Sequence, residues 1–358
     1  RDGWLDLYAV NTWSNGEWGR WRTEGGLPTS RLYRNDAGRF TDVTAETASG
    51  VESRGNGCVA ADLDLDGWTD LYVTTERANV MLWNDGGERF VDDAEAEEPS
   101  GVATFGWHSG ASVGDVDGNG WPDLFVAGYT DLNRPITSAT KGFPNSFEAE
   151  PDLLFLNDGP GDVTRIEFRE VAEDVGIEPN GPDYGLGSVL SDLDGDGDLD
   201  LYVANDTTPN QLYENVATET GDGFRLVEQG VDAGVGDTGA GMGVASADID
   251  GDGRADLVTT NQLTERHVVA RNDSDGAPAF VDHLGAMGFP ELGVGSTGWG
   301  TMLIDVDLDA DLDLFFGHGA IPVRDLVDDR QLSQLLENLG QGSEPGRFAD
   351  VTVEVGLS

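Results

Sequence analysis

The sequence predicts an all-β fold, a β-propeller built from four-stranded blades. The pattern Asp-x-Asp-x-Asp/Asn-Gly/Ala-x-x-Asp occurs five times, and an apolar, strand-type run such as Leu71–Val73 follows each closing Asp. A further short strand that ends in Asn, as in Leu32–Asn35, is also repeated. Successive fifth positions of the pattern lie 53 to 77 residues apart. Four strands per unit at this spacing are typical of propeller blades.

Each repeat has the same order of elements. Strand A precedes the Asp-rich loop, as in Cys58–Ala61, and strand B leaves it. Strand C ends in Asn, and after a turn strand D carries a Phe such as Phe40. We expect six repeats in one domain over residues 1–358, with approximate bounds 1–50, 51–100, 101–178, 179–236, 237–290 and 291–358. The first repeat is truncated, because the chain opens inside a loop and lacks the first strand A.

The Asp-rich loops are candidate metal sites. Alternate side-chain oxygens followed by a glycine turn and a closing carboxylate suit a hard cation, above all calcium. An EF-hand would continue into a helix and would have Glu at its twelfth position, whereas here a strand leaves the ninth position. The predicted side-chain ligands at positions 1, 3, 5 and 9 are Asp62, Asp64, Asp66 and Asp70; Asp115, Asp117, Asn119 and Asp123; Asp192, Asp194, Asp196 and Asp200; Asp248, Asp250, Asp252 and Asp256; and Asp305, Asp307, Asp309 and Asp313. Asp2 and Asp6 belong to the second half of a sixth loop.

The chain resembles a known family. Its motifs, with the segments Leu32–Asn35 and Phe40–Thr44, are similar to the FG-GAP/VCBS repeat propellers, the fold of the integrin α-subunit head, and especially to the cartilage acidic protein/UnbV-type group. The resemblance covers essentially the whole chain. It implies Ca²⁺ bound through positions 1, 3, 5 and 9 and the main-chain carbonyl of position 7, and seven blades in the parent protein. The residues at position 7 are Trp68, Trp121, Asp198, Arg254 and Asp311. We therefore expect about five calcium sites, and a sixth if upstream residues complete the opening loop.

Two loops depart from the family pattern. Ala310 replaces the turn glycine, which costs about 1 kcal/mol if that residue needs a positive φ. Asn119 removes one negative charge from its loop. Metal binding is therefore expected to be weakest at these two loops.

The chain is strongly acidic. It has 68 Asp and Glu against 20 Lys and Arg, a net charge of −48, and Lys141 is its single lysine. The side-chain ligands of the five loops account for only part of this charge, and −29 remains without them. Such a charge destabilises a compact fold in dilute buffer, whereas molar salt shortens the screening length to about 3 Å. We predict a protein from an extreme halophile. The charge also argues against nucleic acid as a partner.

The chain begins without Met or a signal peptide, and we interpret it as a fragment of a longer protein. No apolar run approaches 18 residues, so direct membrane insertion is not expected. A family of calcium-loaded propellers implies an exported protein, extracellular or at the cell surface.

Three insertions between strands B and C predict a binding surface. They cover residues 12–29, 129–151 and 319–332, and together they carry a net charge of only −2. Because the A–B and B–C connections leave opposite ends of a strand pair, the insertions should lie on the face opposite the calcium loops. Aromatic and Arg side chains on loops suit recognition of proteins or glycans. The candidate ligand-binding residues are Trp13, Trp18, Arg20, Trp21, Arg22, Tyr129, Phe143 and Phe147. A structural alternative is that these loops form a small core of their own over the central channel.

The sequence thus predicts a calcium-stabilised propeller that acts as a ligand-binding or protein-interaction scaffold and is not an enzyme. The alternative is a carbohydrate-active enzyme, a polysaccharide lyase or glycosidase, on the same propeller. An enzyme should have His, Arg or Tyr and carboxylates in one compact pocket, and His108 is the one histidine considered for catalysis. A binding module should have a broad aromatic surface instead.

Overall fold

The structure is a computed structural model. It describes residues 3–13, 23, 26–96, 98–137, 142–160, 166–177, 183–218, 223–321, 331–340 and 346–357. These residues form two compact units, residues 1–140 with 146–172, and residues 141–145 with 173–358.

The first unit holds three antiparallel sheets. The first sheet has three strands in the order β1-β2-β3, and the other two have four strands each, in the orders β4-β5-β6-β7 and β13-β12-β9-β8. A hairpin, β10-β11, is inserted between β9 and β12. The strand bounds are β1 Leu7–Ala9, β2 Arg31–Asp36, β3 Arg39–Asp42, β4 Gly55–Ala61, β5 Asp70–Thr75, β6 Val80–Asp85, β7 Arg89–Asp92, β8 His108–Gly114, β9 Asp123–Gly128, β10 Thr130–Pro135, β11 Phe147–Ala149, β12 Leu153–Asn157 and β13 Phe168–Glu170.

The second unit holds three four-stranded sheets in simple meander order, β14 to β17, β18 to β21 and β22 to β25. The strand bounds are β14 Gly185–Ser191, β15 Asp200–Asn205, β16 Gln211–Ala217, β17 Phe224–Glu228, β18 Val244–Ala247, β19 Asp256–Thr259, β20 Val268–Asn272, β21 Phe280–Asp282, β22 Gly298–Ile304, β23 Asp313–His318, β24 Gln334–Asn338 and β25 Phe348–Asp350.

Helical structure is short in the described residues. The helices α1 Thr44–Thr47, α2 Ala172–Val175 and α3 Leu284–Met287 have four residues each, and a 3-10 turn covers Asp93–Glu95. No helix in this part of the chain combines the length and apolar character needed to cross a membrane.

The predicted fold class is therefore confirmed: the six sheets are blades of the β-propeller type, and the first one has three described strands. We call them blades 1 to 6 in chain order. The B–C insertion of blade 3 contains the β10-β11 hairpin.

The hydrophobic cores lie between consecutive blades within each unit. Leu63 and Tyr72 of blade 2 pack in one buried cluster with Leu124 and Phe155 of blade 3. In the second unit, one cluster joins blades 4 and 5 through Leu193, Leu212, Leu257 and Phe280, and another joins blades 5 and 6 through Ile249, Val258, Leu314 and Phe316. Within a unit, consecutive blades thus bury their sheet faces against each other, which is how a flat apolar sheet is shielded from water.

Candidate metal centres

Strand register fixes the two ends of every Asp-rich loop. The last residue of strand A pairs with the Asp at loop position 9, as Ala61 pairs with Asp70. The same pairing joins Gly114 with Asp123, Ser191 with Asp200, Ala247 with Asp256, and Ile304 with Asp313. Each loop is therefore a long turn between two hydrogen-bonded strands, as predicted.

The loops gather carboxylates into five tight groups. Within a group, one ligand atom from each residue lies within 4.8 Å of the others. Positions 1 and 3 belong to every group; position 5 completes the first group and position 9 completes the other four. The groups are Asp62, Asp64 and Asp66; Asp115, Asp117 and Asp123; Asp192, Asp194 and Asp200; Asp248, Asp250 and Asp256; and Asp305, Asp307 and Asp313. The predicted side chains of positions 1 and 3 therefore meet in every loop, with a third carboxylate from position 5 or position 9.

Hydrogen bonds inside each loop hold these carboxylates toward a common centre. In the first complete loop Asp64 Oδ1 accepts from the Asp66 N–H at 3.1 Å, and Asp66 Oδ1 accepts from the Trp68 N–H at 2.7 Å. Asp62 Oδ2 accepts from the Gly67 N–H at 2.9 Å. The other four loops repeat the bonds from positions 5 and 7. Such Asp side-chain turns are local and are set by the sequence itself.

The Asp at position 9 joins the loop to strand C. Asp70 Oδ2 accepts from the Leu63 N–H at 3.0 Å, and Asp70 Oδ1 accepts from the Asn84 N–H at 2.8 Å. Asp123, Asp200, Asp256 and Asp313 accept the equivalent pair of main-chain N–H groups. In the opening partial loop, Asp6 Oδ1 accepts from the Asn35 N–H at 2.8 Å. Asp2 lies outside the described residues.

Burial makes these carboxylates costly to ionise. Burial raises the pKa of Asp70, Asp123 and Asp200 to about 7 and that of Asp256 to about 6. Two main-chain N–H donors lower the pKa of each carboxyl, and neighbouring carboxylates raise it by a smaller amount. The same cause raises the pKa of the position 3 carboxyls Asp64, Asp117, Asp194 and Asp307. A positive charge at the centre of each loop would remove this cost.

The donor atoms fit a hard cation. Asp62 Oδ1, Asp198 Oδ1 and Asp311 Oδ1 are buried and have no hydrogen-bond partner. A buried carboxylate oxygen without a partner is strongly unfavourable unless a cation lies beside it. The side-chain donors of the loops are all oxygens, as Ca²⁺ prefers. The residues that would hold the ion are those of the five acidic groups. Asp198 and Asp311 add side-chain oxygens at position 7. Ligation by the remaining residues of positions 5 and 9, and by the carbonyl of position 7, stays a prediction.

Two loop positions need a left-handed backbone. Position 6 has φ between 89° and 100° at Gly67, Gly120, Gly197 and Gly253, and Ala310 has φ 76°. The strain expected at Ala310 is therefore confirmed. Position 4 is also left-handed, which the sequence analysis missed: it is Gly in three loops, but Leu65 has φ 55° and Leu308 has φ 65°. Gly118, Gly195 and Gly251 at the same position were the available signal.

The side chains at position 7 cover the turn between strands C and D. A Cβ on Gly87 would lie 2.3 Å from the Trp68 ring, and a Cβ on Gly159 would lie 2.6 Å from the Trp121 ring. Arg254 instead donates to the Asn272 carbonyl at 2.7 Å. The indoles of Trp68 and Trp121 therefore require glycine at the turn residues they contact.

The Asn near the end of strand C connects two Asp-rich loops, which its repetition in the sequence did not predict. The Asn157 side-chain amide donates to the Pro122 carbonyl at position 8 of its own loop, at 3.1 Å. It also donates to the carbonyl of Leu63, position 2 of the loop in the preceding blade, at 2.9 Å. Asn272 and Asn338 make the same two bonds in the second unit. A single buried side chain therefore contacts two loops.

The candidate ligand-binding residues have different surroundings. Tyr129 is only 7% exposed and packs edge-on against Trp107, with ring centroids 5.2 Å apart. Phe143 is 52% exposed, whereas Trp13 and Phe147 are half-buried. Trp18, Arg20, Trp21 and Arg22 lie outside the described residues. Tyr129 thus belongs to a small core at the base of its insertion, and among the candidates that the structure describes Phe143 is the aromatic most exposed to solvent.

Comparisons with known proteins agree with this geometry. The chain is 27% identical over 277 residues to cartilage acidic protein 1 of Homo sapiens, which covers 73% of this chain and 38% of that protein. It is 26% identical over 308 residues to cartilage acidic protein 1 of Mus musculus, covering 80% of this chain and 44% of that protein. The chain therefore spans about two fifths of the length of these curated relatives.

Among solved structures, an Agrocybe aegerita lectin that recognises non-reducing terminal N-acetylglucosamine aligns with 96% of this chain and 78% of its own, at 17% identity and a TM-score of 0.47. The model of the FG-GAP-like repeat matches residues 1–73, 62–126 and 192–259, which is more than half of the chain. These matches include four of the five complete loops and the opening partial one. The chain therefore belongs to the FG-GAP-like repeat family.

Proposed function

We propose that this chain is a calcium-stabilised propeller module that acts outside the cell as a ligand-binding or protein-interaction scaffold. The proposed calcium binding rests on the five carboxylate groups, in each of which one oxygen per residue lies within 4.8 Å of the others. It is also supported by buried carboxylate oxygens that have no hydrogen-bond partner in the protein. Calcium bound only by the folded state would stabilise the module. The extracellular location is supported by the family, because FG-GAP-like repeats are typical of extracellular proteins.

The proposed ligand binding rests on Phe143 and the other aromatics of the first two B–C insertions. An aromatic side chain exposed on a loop is a typical anchor for a protein or a glycan. The insertions are close to neutral in a chain of net charge −48. A partner would therefore meet less electrostatic repulsion there than elsewhere on the surface.

The histidines support a scaffold better than an enzyme. His108 is buried, which lowers its pKa to about 4, and its Nδ1 lies 3.0 Å from the Asn79 amide. Since an amide N–H can only donate, His108 Nδ1 is the acceptor, and the ring is fixed in one neutral tautomer. This arrangement suits a structural polar network rather than proton transfer to a substrate.

His318 is the histidine that favours the enzyme alternative, because it lines a groove of about 710 Å³ together with Asp350 and Glu354. Both of its nitrogens are occupied. The Asn261 N–H donates to His267 Nδ1, so the remaining proton of neutral His267 is on Nε2, which faces His318 Nε2 at 3.2 Å. His318 Nδ1 then donates to the Leu332 carbonyl at 2.8 Å. We therefore propose that this groove is not catalytic.

The test is a glycan array and a pull-down screen in molar salt with calcium, with the wild type, Phe143→Ala and Trp18→Ala. An aromatic anchor contributes about 2 kcal/mol or more, roughly thirtyfold in affinity. We expect both variants to lose ligand and to keep the melting temperature of the wild type. Turnover of a polysaccharide that disappears in His318→Ala would establish the enzyme instead.

A further inference from the structure

The side chains of Asn157, Asn272 and Asn338 repeat one contact between neighbouring blades. Their Nδ2 atoms lie 2.9, 2.9 and 3.2 Å from the carbonyl oxygens of Leu63, Leu193 and Ile249. All three Asn are buried, and so are all three acceptor residues. A buried carbonyl without a hydrogen-bond donor is unfavourable. These Asn amides supply the donor for the position 2 carbonyls.

The acceptor residue lies at position 2, between the two carboxylates that belong to every acidic group. In the loop of blade 2 its side chain, Leu63, packs in the core between blades, and its N–H is bound to Asp70. The Asn157 amide holds its carbonyl. The side chain, the N–H and the carbonyl of Leu63 therefore all have partners, and the partner of the carbonyl is a side chain of the next blade.

The same Asn is tied to its own loop. The main-chain N–H of Asn157 donates to Asp123 Oδ1 at 2.8 Å, and its amide donates to the Pro122 carbonyl. Its Oδ1 accepts from the Gly159 N–H at 3.0 Å. Movement of positions 8 and 9 in one loop must therefore displace the amide that supports position 2 of the loop before it.

We propose that Asn157, Asn272 and Asn338 are positioning residues that couple the calcium affinities of neighbouring loops within each unit. This inference rests on the proposed calcium binding. An ion in the Asp115–Asp123 loop fixes Asp123 and with it Asn157, which in turn fixes the Leu63 carbonyl between Asp62 and Asp64. The coupling is therefore positive, and by linkage it is equal in both directions.

Asn84 is the matched control. It ends strand C of blade 2, and its amide donates to the Thr69 carbonyl of its own loop at 2.8 Å. Its Oδ1 accepts from the Gly87 N–H at 2.9 Å, as Asn157 Oδ1 does from Gly159. Among the described residues, Asn84 donates to no carbonyl of another blade. It thus has the contacts within the blade without the contact between blades.

Terbium luminescence can read two loops separately. Tb³⁺ replaces Ca²⁺ at oxygen sites and emits when a nearby indole is excited, and Trp68 and Trp121 each occupy position 7 of a loop. In a Trp121→Phe protein the emission reports the Asp62–Asp70 loop, and in a Trp68→Phe protein it reports the Asp115–Asp123 loop. Each substitution keeps the main-chain carbonyl, and every shift is measured against its own parent.

We expect Asn157→Ala to weaken Tb³⁺ binding at both reported loops, by about tenfold at the Asp62–Asp70 loop, the equivalent of about 1.4 kcal/mol. Asn84→Ala should weaken the Asp62–Asp70 loop directly, and it should weaken the Asp115–Asp123 loop by no more than the coupling allows, about fivefold. Asp117→Ala, which disables the second loop, should weaken the first by about fivefold. That effect should vanish when Asn157→Ala is also present, which a purely structural role would not produce.

The coupling is wrong if Asn157→Ala shifts only the Asp115–Asp123 loop, or if the effect of Asp117→Ala is the same with Ala at position 157. Absence of Tb³⁺ and Ca²⁺ binding by the wild type would instead refute the calcium proposal itself. If circular dichroism shows that Asn157→Ala does not fold, Asn338→Ala with Arg254→Trp as the reporter of the Asp248–Asp256 loop gives the same comparison in the second unit.

Discussion

The amide of Asn157 donates to the carbonyl of Leu63, 94 residues earlier in the chain, over 2.9 Å. This bond joins the end of strand C in one blade to the acidic loop of the blade before it. Leu63 lies between two predicted calcium ligands, Asp62 and Asp64. Ion binding there and packing between the two blades should therefore depend on each other. Stability should therefore respond to calcium more strongly than a set of independent surface sites would suggest.

The first prediction concerns calcium removal. At a hundredfold excess over Kd, each ion bound only by the folded state contributes about 2.7 kcal/mol. Chelation at constant molar salt should therefore lower the melting temperature sharply. Asp64→Ala should be more destabilising than Asn119→Ala, since the Asn119 loop already carries one charge fewer. A melting curve that is unchanged after verified metal removal would contradict a structural role for calcium.

The second prediction concerns the two left-handed residues of the last loop. A non-glycine residue in this region costs about 1 to 2 kcal/mol, and the Leu308 side chain is 86% exposed, so little packing is lost without it. We expect Leu308→Gly and Ala310→Gly each to raise the free energy of unfolding by about 1 kcal/mol in calcium. Gly253→Ala is the inverse control and should destabilise by a similar amount. No gain from either glycine would mean that the loop relaxes in solution.

The third prediction is a pH dependence of the calcium-free protein. The pKa of Asp70, Asp123 and Asp200 is raised to about 7, above the value near 4 of an unfolded Asp. The folded state thus binds these protons more tightly, and the stability that they contribute is lost as pH rises through 6 and 7. Asp256, whose pKa is raised to about 6, contributes in the same direction.

The measurement is thermal melting at pH 5.5 and 8 in molar salt, with and without calcium. We expect the melting temperature without calcium to fall with rising pH, and the increment due to calcium to grow over the same range. An increment that is independent of pH would show that these carboxylates are not near the ion.

The fourth prediction concerns salt. A charge of −29 remains outside the predicted ligands, and it should oppose folding even when the loops are filled. At about 0.1 M salt the screening length is about 10 Å, against about 3 Å in molar salt. Circular dichroism should therefore show loss of native structure as NaCl or KCl falls, with calcium held saturating. Full stability in dilute buffer would contradict the proposed halophilic origin.

The sequence was enough to predict the repeats, the strand order and the carboxylate groups, because all three depend on residues close together in the chain. The Asp side-chain turns span only a few residues, and strand pairing follows from the turn. The left-handed residues Leu65 and Leu308 were missed, because Leu gives no sign of a positive φ. Contacts between distant segments, such as Asn157 with Leu63 or Tyr129 with Trp107, depend on how the blades and insertions pack, and no local pattern specifies that.

The loop of blade 6 differs from the others in a way that bears on how the protein would be degraded. Its position 2 residue, Val306, is 44% exposed, whereas Leu63, Leu193 and Ile249 are buried in the cores between blades. The same loop contains both Leu308 and Ala310 in left-handed conformations. We expect it to release its ion first as calcium falls, and an opened, exposed loop is the kind of segment that proteases cut. Proteolysis at limiting calcium should therefore begin in the loop of blade 6.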